Sequence, residues 1–259
     1  MDSQRNKYAE KLIDLYGQKS KHSNYQILPK ALEKILDFSD VKVKSRYEKE
    51  RFDYISSVIE IKDKTVLDIG GNTGFFTFAA IEEGAKEVYY VEGNKAHTEF
   101  VELSARALDI LDKVNISNAY YDFYNDKNHY DVCFLLNVLH HLGDDYGDNS
   151  ISINRAKELM IEQLNRISCR ATTAVFQLGF NWKGNRELCL FENGTKKELI
   201  EFVQKGVEGR WSIRKIAVAE RYQQTIKYVP IDDVNIKRDD SLGEFLNRPI
   251  FILDRKGAL

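Results

Sequence analysis

The run Val66-Leu67-Asp68-Ile69-Gly70-Gly71-Asn72-Thr73-Gly74-Phe75-Phe76 constrains the fold of this chain more than any other stretch. Val66, Leu67 and Ile69 read as a short buried strand, and the glycines that follow demand a tight turn. Apolar residues from Phe75 to Glu83 then read as a helix that stops at Gly84. A strand feeding a helix through a glycine turn is half of a β-α-β unit. The next strand, Glu87-Val88-Tyr89-Tyr90-Val91, follows where that unit needs it. In such sheets a ligand lies across the carboxyl ends of the strands. Gly70 and Gly74 let the backbone approach it without a Cβ in the way.

Two nucleotide fingerprints fail here. A dinucleotide turn needs G-x-G-x-x-G, but counted from Gly70 the later positions are Asn72 and Phe75, and counting from Gly71 fails as well. There is no G-x-x-x-x-G-K-[ST] phosphate loop either. What the stretch does match is D-x-G-x-x-x-G. Asp68 places negative charge beside the ligand, which suits a sulfonium and an ammonium group better than a pyrophosphate. The second strand ends in Val91-Glu92-Gly93-Asn94, and a carboxylate at that tip can accept two hydrogen bonds from ribose hydroxyls. The bland reading is an ordinary strand with a chance acid; turn and acid at this spacing favour the ligand.

These residues resemble the S-adenosylmethionine-binding region of class I methyltransferases, and the resemblance extends over about residues 45 to 255. It implies a Rossmann-like α/β fold: a seven-stranded, mostly parallel sheet with helices on both faces and an N-terminal helical cap. It also implies S-adenosyl-L-methionine as cofactor. By the family's pattern Gly70 and Gly74 line the methionine part and Glu92 holds the ribose, while Asn72 stands where a third glycine is common. Asp122, after strand three, is the candidate beside adenine, with a solvated loop acid as the alternative. Tyr47 and Arg51, in the helix before strand one, are candidates to reach the methionine carboxylate or close over the cofactor. The competing reading of that helix is a surface one with i,i+4 charge pairs.

Residues 1–60 show three apolar faces near helical spacing: Leu12, Ile13 and Tyr16; Leu32, Ile35 and Leu36; Phe52, Ile55 and Ile59. They form the expected cap, with residues 61–259 as the cofactor-binding domain. Further strands are expected around Val114–Ser117, Asp131–Leu136, Thr172–Leu178, Ile213–Ala217 and Pro249–Leu253, and helices over Ala96–Leu111 and Ile153–Ile167. Thr195-Lys196-Lys197-Glu198 has the form of a capping box that opens a helix ending near Gly206. At 259 residues, with three prolines, the chain suits one large domain, or a domain with a modest appendage.

Cys133, Cys169 and Cys189 are scattered, so neither a disulfide framework nor a zinc site is expected. The N-terminus lacks the apolar core of a signal peptide, and no apolar run nears the ~20 residues a membrane span needs. The expected compartment is the cytoplasm. With 38 cationic and 40 acidic residues the net charge is −2. That balance argues against an extended nucleic-acid footprint, so the expected partner is a small molecule or glycan precursor.

Asp131-Val132-Cys133-Phe134-Leu135-Leu136-Asn137-Val138-Leu139-His140-His141-Leu142 reads as a buried strand and a turn of helix. In the family this strand end lies between cofactor and substrate, which puts Asn137 at the cofactor. Enzymes that methylate exocyclic amino groups carry N/D-P-P-[YF] there. Asn137-Val138-Leu139-His140 disfavours that class and is similar to many small-molecule methyltransferases. A hydroxyl acceptor benefits from a base, and histidine titrates near neutrality. His140 and His141 are the candidates, of which only one should face the substrate. His140 is preferred as nearer the strand end, and an inert, packed histidine is the alternative.

His141 with the acids of Gly143-Asp144-Asp145-Tyr146-Gly147-Asp148 offers metal ligands. Acidic glycine loops are usually only solvated, and no metal is expected. Trp182, Lys183 and Arg186, after strand five, combine a stacking ring with cations for an acceptor's sugar, base or phosphate; an ordinary surface loop is the alternative.

The resulting expectation is O-methylation of a small polar acceptor in surface-polysaccharide biosynthesis: a sugar hydroxyl, a nucleotide-activated sugar or a phosphate-type oxygen. This expectation rests on similarity to methyltransferases of that pathway. A tRNA wobble-uridine-modifying enzyme of the same superfamily is one alternative. A catalytically silent cofactor-binding partner subunit is another, against which intact Asp68, Gly70, Gly74 and Glu92 argue.

Overall fold

The computed structural model describes residues 2–18, 26–37, 43 and 45–257, which fall into two compact units, Met1–Tyr121 and Asp122–Leu259. The first unit opens with helix α1 (Asp2–Gly17), a 3-10 turn at Lys30–Lys34 and α2 (Glu48–Val58). Strands β1 (Thr65–Ile69), β2 (Glu87–Val91) and β3 (Val114–Ser117) then alternate with α3 (Phe75–Glu82) and α4 (Lys95–Ala107). The three strands are parallel in the order β3-β2-β1, with Val66 opposite Val88 and Val88 opposite Val114.

The N-terminal stretch is part of this unit's core. Leu12, Leu15 and Tyr16 of α1, with Leu28, Leu32 and Leu36, join one buried cluster with Phe78, Tyr90, Phe100 and Val101. Burying each such side chain contributes about 1.5–3 kcal/mol, which is what fastens α1 against α4. Ile13 is only partly buried, so the core-facing stripe is Leu12, Leu15 and Tyr16.

The second unit contains β4 (Tyr130–Leu136), α5 (Ile153–Ile167), β5 (Ala171–Gln177), α6 (Lys196–Val207), β6 (Trp211–Tyr222), β7 (Thr225–Pro230), α7 (Gly243–Leu246) and β8 (Ile250–Arg255). β4 and β5 are parallel; β8 runs antiparallel to β5, and β6 lies antiparallel between β8 and β7. Ala156, Met160, Leu164 and Ile167 form the buried stripe of α5. The capping box at Thr195 is present, with its Oγ accepting Glu198 N–H and the Glu198 carboxylate accepting Thr195 N–H.

The α/β class and the β-α-β rhythm match expectation, but the described strands number eight rather than seven. The additional one is β7, joined to β6 through Gln223 and Gln224, with Tyr222 opposite Thr225. A two-residue hairpin turn requires left-handed backbone, normally signalled by Asn-Gly or Asp-Gly. Here Gln223 adopts φ 55 without such a signal, so the turn is silent in sequence. Among the described residues no helix is long and apolar enough to cross a membrane.

Candidate functional site

The glycine turn is fixed by the ends of β1 and β2. Gly70 N–H donates to Val91 O at 2.8 Å, and Gly74, at φ 81, caps the N-terminus of α3. A Cβ on Gly71 would lie 2.6 Å from the Tyr90 ring, so that position is closed to any side chain. Asn72 adopts φ 50, a left-handed conformation that Asn tolerates, which explains how it replaces a glycine. Its side chain turns inward, Oδ1 accepting Thr73 N–H at 2.8 Å, while the Tyr90 hydroxyl donates to its carbonyl. Asn72 therefore stiffens the loop.

Glu92 ties this loop to the end of β2. Oε2 accepts Asn72 N–H at 3.0 Å and Oε1 accepts Asn94 N–H at 2.7 Å. An ionised carboxylate is acceptor-only, which is the chemistry that suits the hydroxyls of a ribose. Asp68 is 3% exposed and accepts the Thr77 hydroxyl at 2.7 Å. Burial pushes its carboxyl up to about 7; nearby Glu92 adds to the shift and the Thr77 hydrogen bond opposes it. A buried carboxyl poised in this way fits a cationic ligand, whose charge would restore the ionised form.

Gln26 was not signalled by the sequence. It is buried, and its Oε1 accepts both Thr73 Oγ–H at 3.3 Å and Phe75 N–H at 3.2 Å, capping α3 from a distant segment. Tyr16 in turn donates to the Gln26 carbonyl at 2.7 Å.

The pre-strand candidates are built into the unit. Arg51 is 3% exposed, 3.5 Å from Glu48 and 5.0 Å from the centre of the Phe76 ring. Glu48 is itself fully buried and accepts Arg46 N–H through both oxygens; burial raises its pKa while Arg51 opposes the rise. Tyr47 is the N-cap of α2 at φ 57 and is partly exposed.

In the second unit, Asn137 directly follows β4 and is also left-handed, at φ 63. Its Nδ2 donates to Gln177 Oε1 at 2.8 Å and its Oδ1 accepts Arg248 Nη1 at 2.7 Å. Arg248 also pairs with Glu244 through two hydrogen bonds, 3.0 and 2.6 Å, and Glu244 accepts Phe180 N–H. Gln177, Glu244 and Arg248 were all missed by sequence reasoning: 111 residues separate Arg248 from Asn137, and no local pattern joins them.

The 3-10 turn Leu139–His141 carries both histidines. Trp182 is 6% exposed, with Nε1 donating to Leu142 O at 2.6 Å, so its ring supports that turn and presents no open stacking face. Lys183 lies over the Trp182 ring and donates to Asn149 O, while Arg186 is exposed. Asp122 opens the second unit, and its carboxylate is taken up by Tyr124 N–H, Asn125 N–H and the Asn125 amide. The donor atoms of His141, Asp144 and Asp145 lie within 4.8 Å of one another, which is the metal-type grouping the sequence suggested and set aside.

No family model matches the chain. The tRNA U34 carboxymethyltransferase of Helicobacter acinonychis is 28% identical over 108 residues, 40% of this chain and 41% of that protein. The protein of the same name from Aliarcobacter butzleri is 24% identical over 183 residues, 65% of this chain and 54% of that protein. The chain thus matches only about half, or less, of these relatives' length. By fold it is similar to the bifunctional kinase-methyltransferase WbdD, with a TM-score of 0.60 at 14% identity, covering 96% of this chain and 47% of the other. By sequence and by fold, then, the chain is like group-transferring methyltransferases. Both relatives are named for a tRNA substrate, so the expected absence of a nucleic-acid partner gains no support.

Proposed function

We propose that the protein is an S-adenosylmethionine-type group-transfer enzyme that modifies an oxygen of the wobble uridine of tRNA. The observation that carries this reading is the sequence likeness to tRNA U34 carboxymethyltransferases, over as much as 65% of the chain. It reverses the order of the two acceptor classes expected from sequence. The sugar or phosphate acceptor keeps the support of the WbdD likeness, which at 14% identity speaks to fold alone. No observation favours a catalytically silent subunit.

Within the first unit, Glu92 accepts the ribose hydroxyls, the Gly70–Gly74 turn cradles the amino-acid part, and Asp68 supplies negative charge beneath it. Bound there, a sulfonium donor supplies an electrophilic carbon already attached to a good leaving group. The chain's own task is to align the acceptor and take its proton.

The test is direct. The protein is incubated with S-adenosylmethionine, or with its carboxymethyl-sulfonium counterpart, and tRNA from a strain lacking wobble-uridine carboxymethylation. Digested nucleosides are then read by mass spectrometry. A methyl or carboxymethyl increment on uridine 34 is the expected result. Unmodified tRNA beside turnover on a nucleotide-sugar or phosphate-terminated glycan would overturn the acceptor. A thermal shift with NAD and none with S-adenosylhomocysteine would overturn the cofactor.

A further inference from the structure

The two histidines of the turn are built for different work. His140 is 2% exposed, and its Nδ1 accepts the Gly179 N–H at 3.3 Å. A Cβ on residue 179 would fall 2.8 Å from the His140 ring, so the imidazole fills the space that Gly179 leaves. An Nδ1 that accepts a backbone N–H fixes the neutral tautomer with its proton on Nε2. That nitrogen has no lone pair with which to take a proton.

His141 lies with its ring centre 4.2 Å from that of His140 and keeps 17% of its side-chain surface open. Asp144 and Asp145 both donate their N–H to the His141 carbonyl at 3.1 Å. That tight turn brings the Asp145 carboxylate back to 3.3 Å from His141 Nδ1, with Asp144 farther off at 4.0 Å. From the 3-10 turn Trp182–Gly184, Gly184 faces the ring edge, a Cβ there falling 3.4 Å from Cε1. The cations of neighbouring elements are held elsewhere: Lys183 on Asn149 O, and Lys157 of α5 on Leu190 O.

We infer that His141 is a general base for a hydroxyl acceptor, and that Asp145, in the same unit, is its positioning residue, holding Nδ1–H so that Nε2 is the accepting nitrogen. The inference rests on acceptance by a hydroxyl-type oxygen. The acceptor proton passes to His141 Nε2 while the oxygen lone pair forms the new O–C bond. A sulfonium donor would supply the carbon for that bond and leave as a neutral thioether, keeping the C–S electron pair on sulfur. The imidazolium then returns its proton to water. In unliganded enzymes the contact between base and orienting carboxylate is commonly long and tightens with substrate bound.

The experiment has two arms. In the full chain labelled with ¹⁵N-histidine, NMR at pH 8 reads the tautomers: His141 is expected as Nδ1–H and His140 as Nε2–H. Asp145→Asn should move His141 towards a mixture, Asp145→Glu should restore it, and His140 should stay fixed. In turnover with the tRNA described above, His141→Asn should lower kcat by roughly 10²–10⁴-fold. Asp145→Asn should do so by up to a similar factor, as loss of an orienting carboxylate does, with KM for tRNA and cofactor affinity nearly unchanged. An Nε2–H tautomer at His141, or equal loss on His140→Asn with none on His141→Asn, overturns the assignment. So does turnover abolished by a chelator and restored by Mg²⁺ or Zn²⁺, which would make the same three side chains a metal centre. The expected tautomers with no tRNA turnover support the dyad and overturn the tRNA acceptor instead.

Discussion

Asp68 and Glu92 end neighbouring strands, yet they meet opposite conditions. Glu92 is held by two backbone N–H groups from different segments, whereas Asp68 is met by the hydroxyl and backbone N–H of Thr77 and by almost no solvent. The Asp68 carboxyl consequently moves from 3.8 to about 7. The sign follows from linkage: the folded chain binds this proton more tightly than the unfolded one. Stability from this group therefore falls as pH rises from about 4 to about 7 and is level above that. Cofactor binding runs the other way, because a sulfonium and an ammonium are attracted only to the ionised form. Calorimetry should find S-adenosylmethionine bound roughly tenfold more weakly at pH 6 than at pH 8. Asp68→Asn should flatten that dependence. A pH-independent affinity in the unaltered chain would mean that Asp68 does not face the ligand's charge.

Elements differ in how plainly their sequences announce them. Ile153–Ile167 appears in the structure with the expected bounds because its apolar residues recur at helical spacing from end to end. The Thr195 box likewise needs only four consecutive residues, all local. Strand β7 escaped because its turn lacks glycine, and β6 escaped in part because its outer half exposes Arg221 and Tyr222. The glycine turn after β1 was legible, since a tight turn between a buried strand and a helix dictates where glycine falls. The side chains that brace that turn and the residue after β4 were not: Gln26 reaches Phe75 and Arg248 reaches Asn137 across the chain, and side chains paired over such separations leave no periodic trace. Gln26 gives this a test at the level of the element. Removing a side-chain cap from a helix costs about 0.5–2 kcal/mol. Gln26→Leu should therefore lower Tm by a few degrees. It should also weaken cofactor binding, since the capped N–H groups open the loop that cradles it. A variant with lowered Tm and unaltered affinity would show that the N-terminal segment is structural only.

On the scale of the whole molecule, charge is what sets this chain apart from most proteins that bind nucleic acid. Cations and acids nearly balance, 38 against 40, so long-range attraction to a polyanion is weak and affinity must come from a few well-placed side chains. That makes the salt dependence of tRNA binding diagnostic. Each phosphate neutralised contributes a slope of about −0.7 to −0.9 in log K against log salt, so contact with about three to five phosphates gives roughly −2 to −4. A protein with a basic face would show a steeper slope. Filter binding between 50 and 300 mM salt, with the wobble-uridine tRNA of the activity test or a form carrying cytidine at position 34, separates the terms. The slope should be the same for both, because backbone contacts carry no sequence information, while only the uridine form should be turned over. A slope near zero together with no turnover would remove tRNA as the acceptor and return the choice to small anionic or hydroxylated substrates, whose recognition needs no phosphate contacts along a chain.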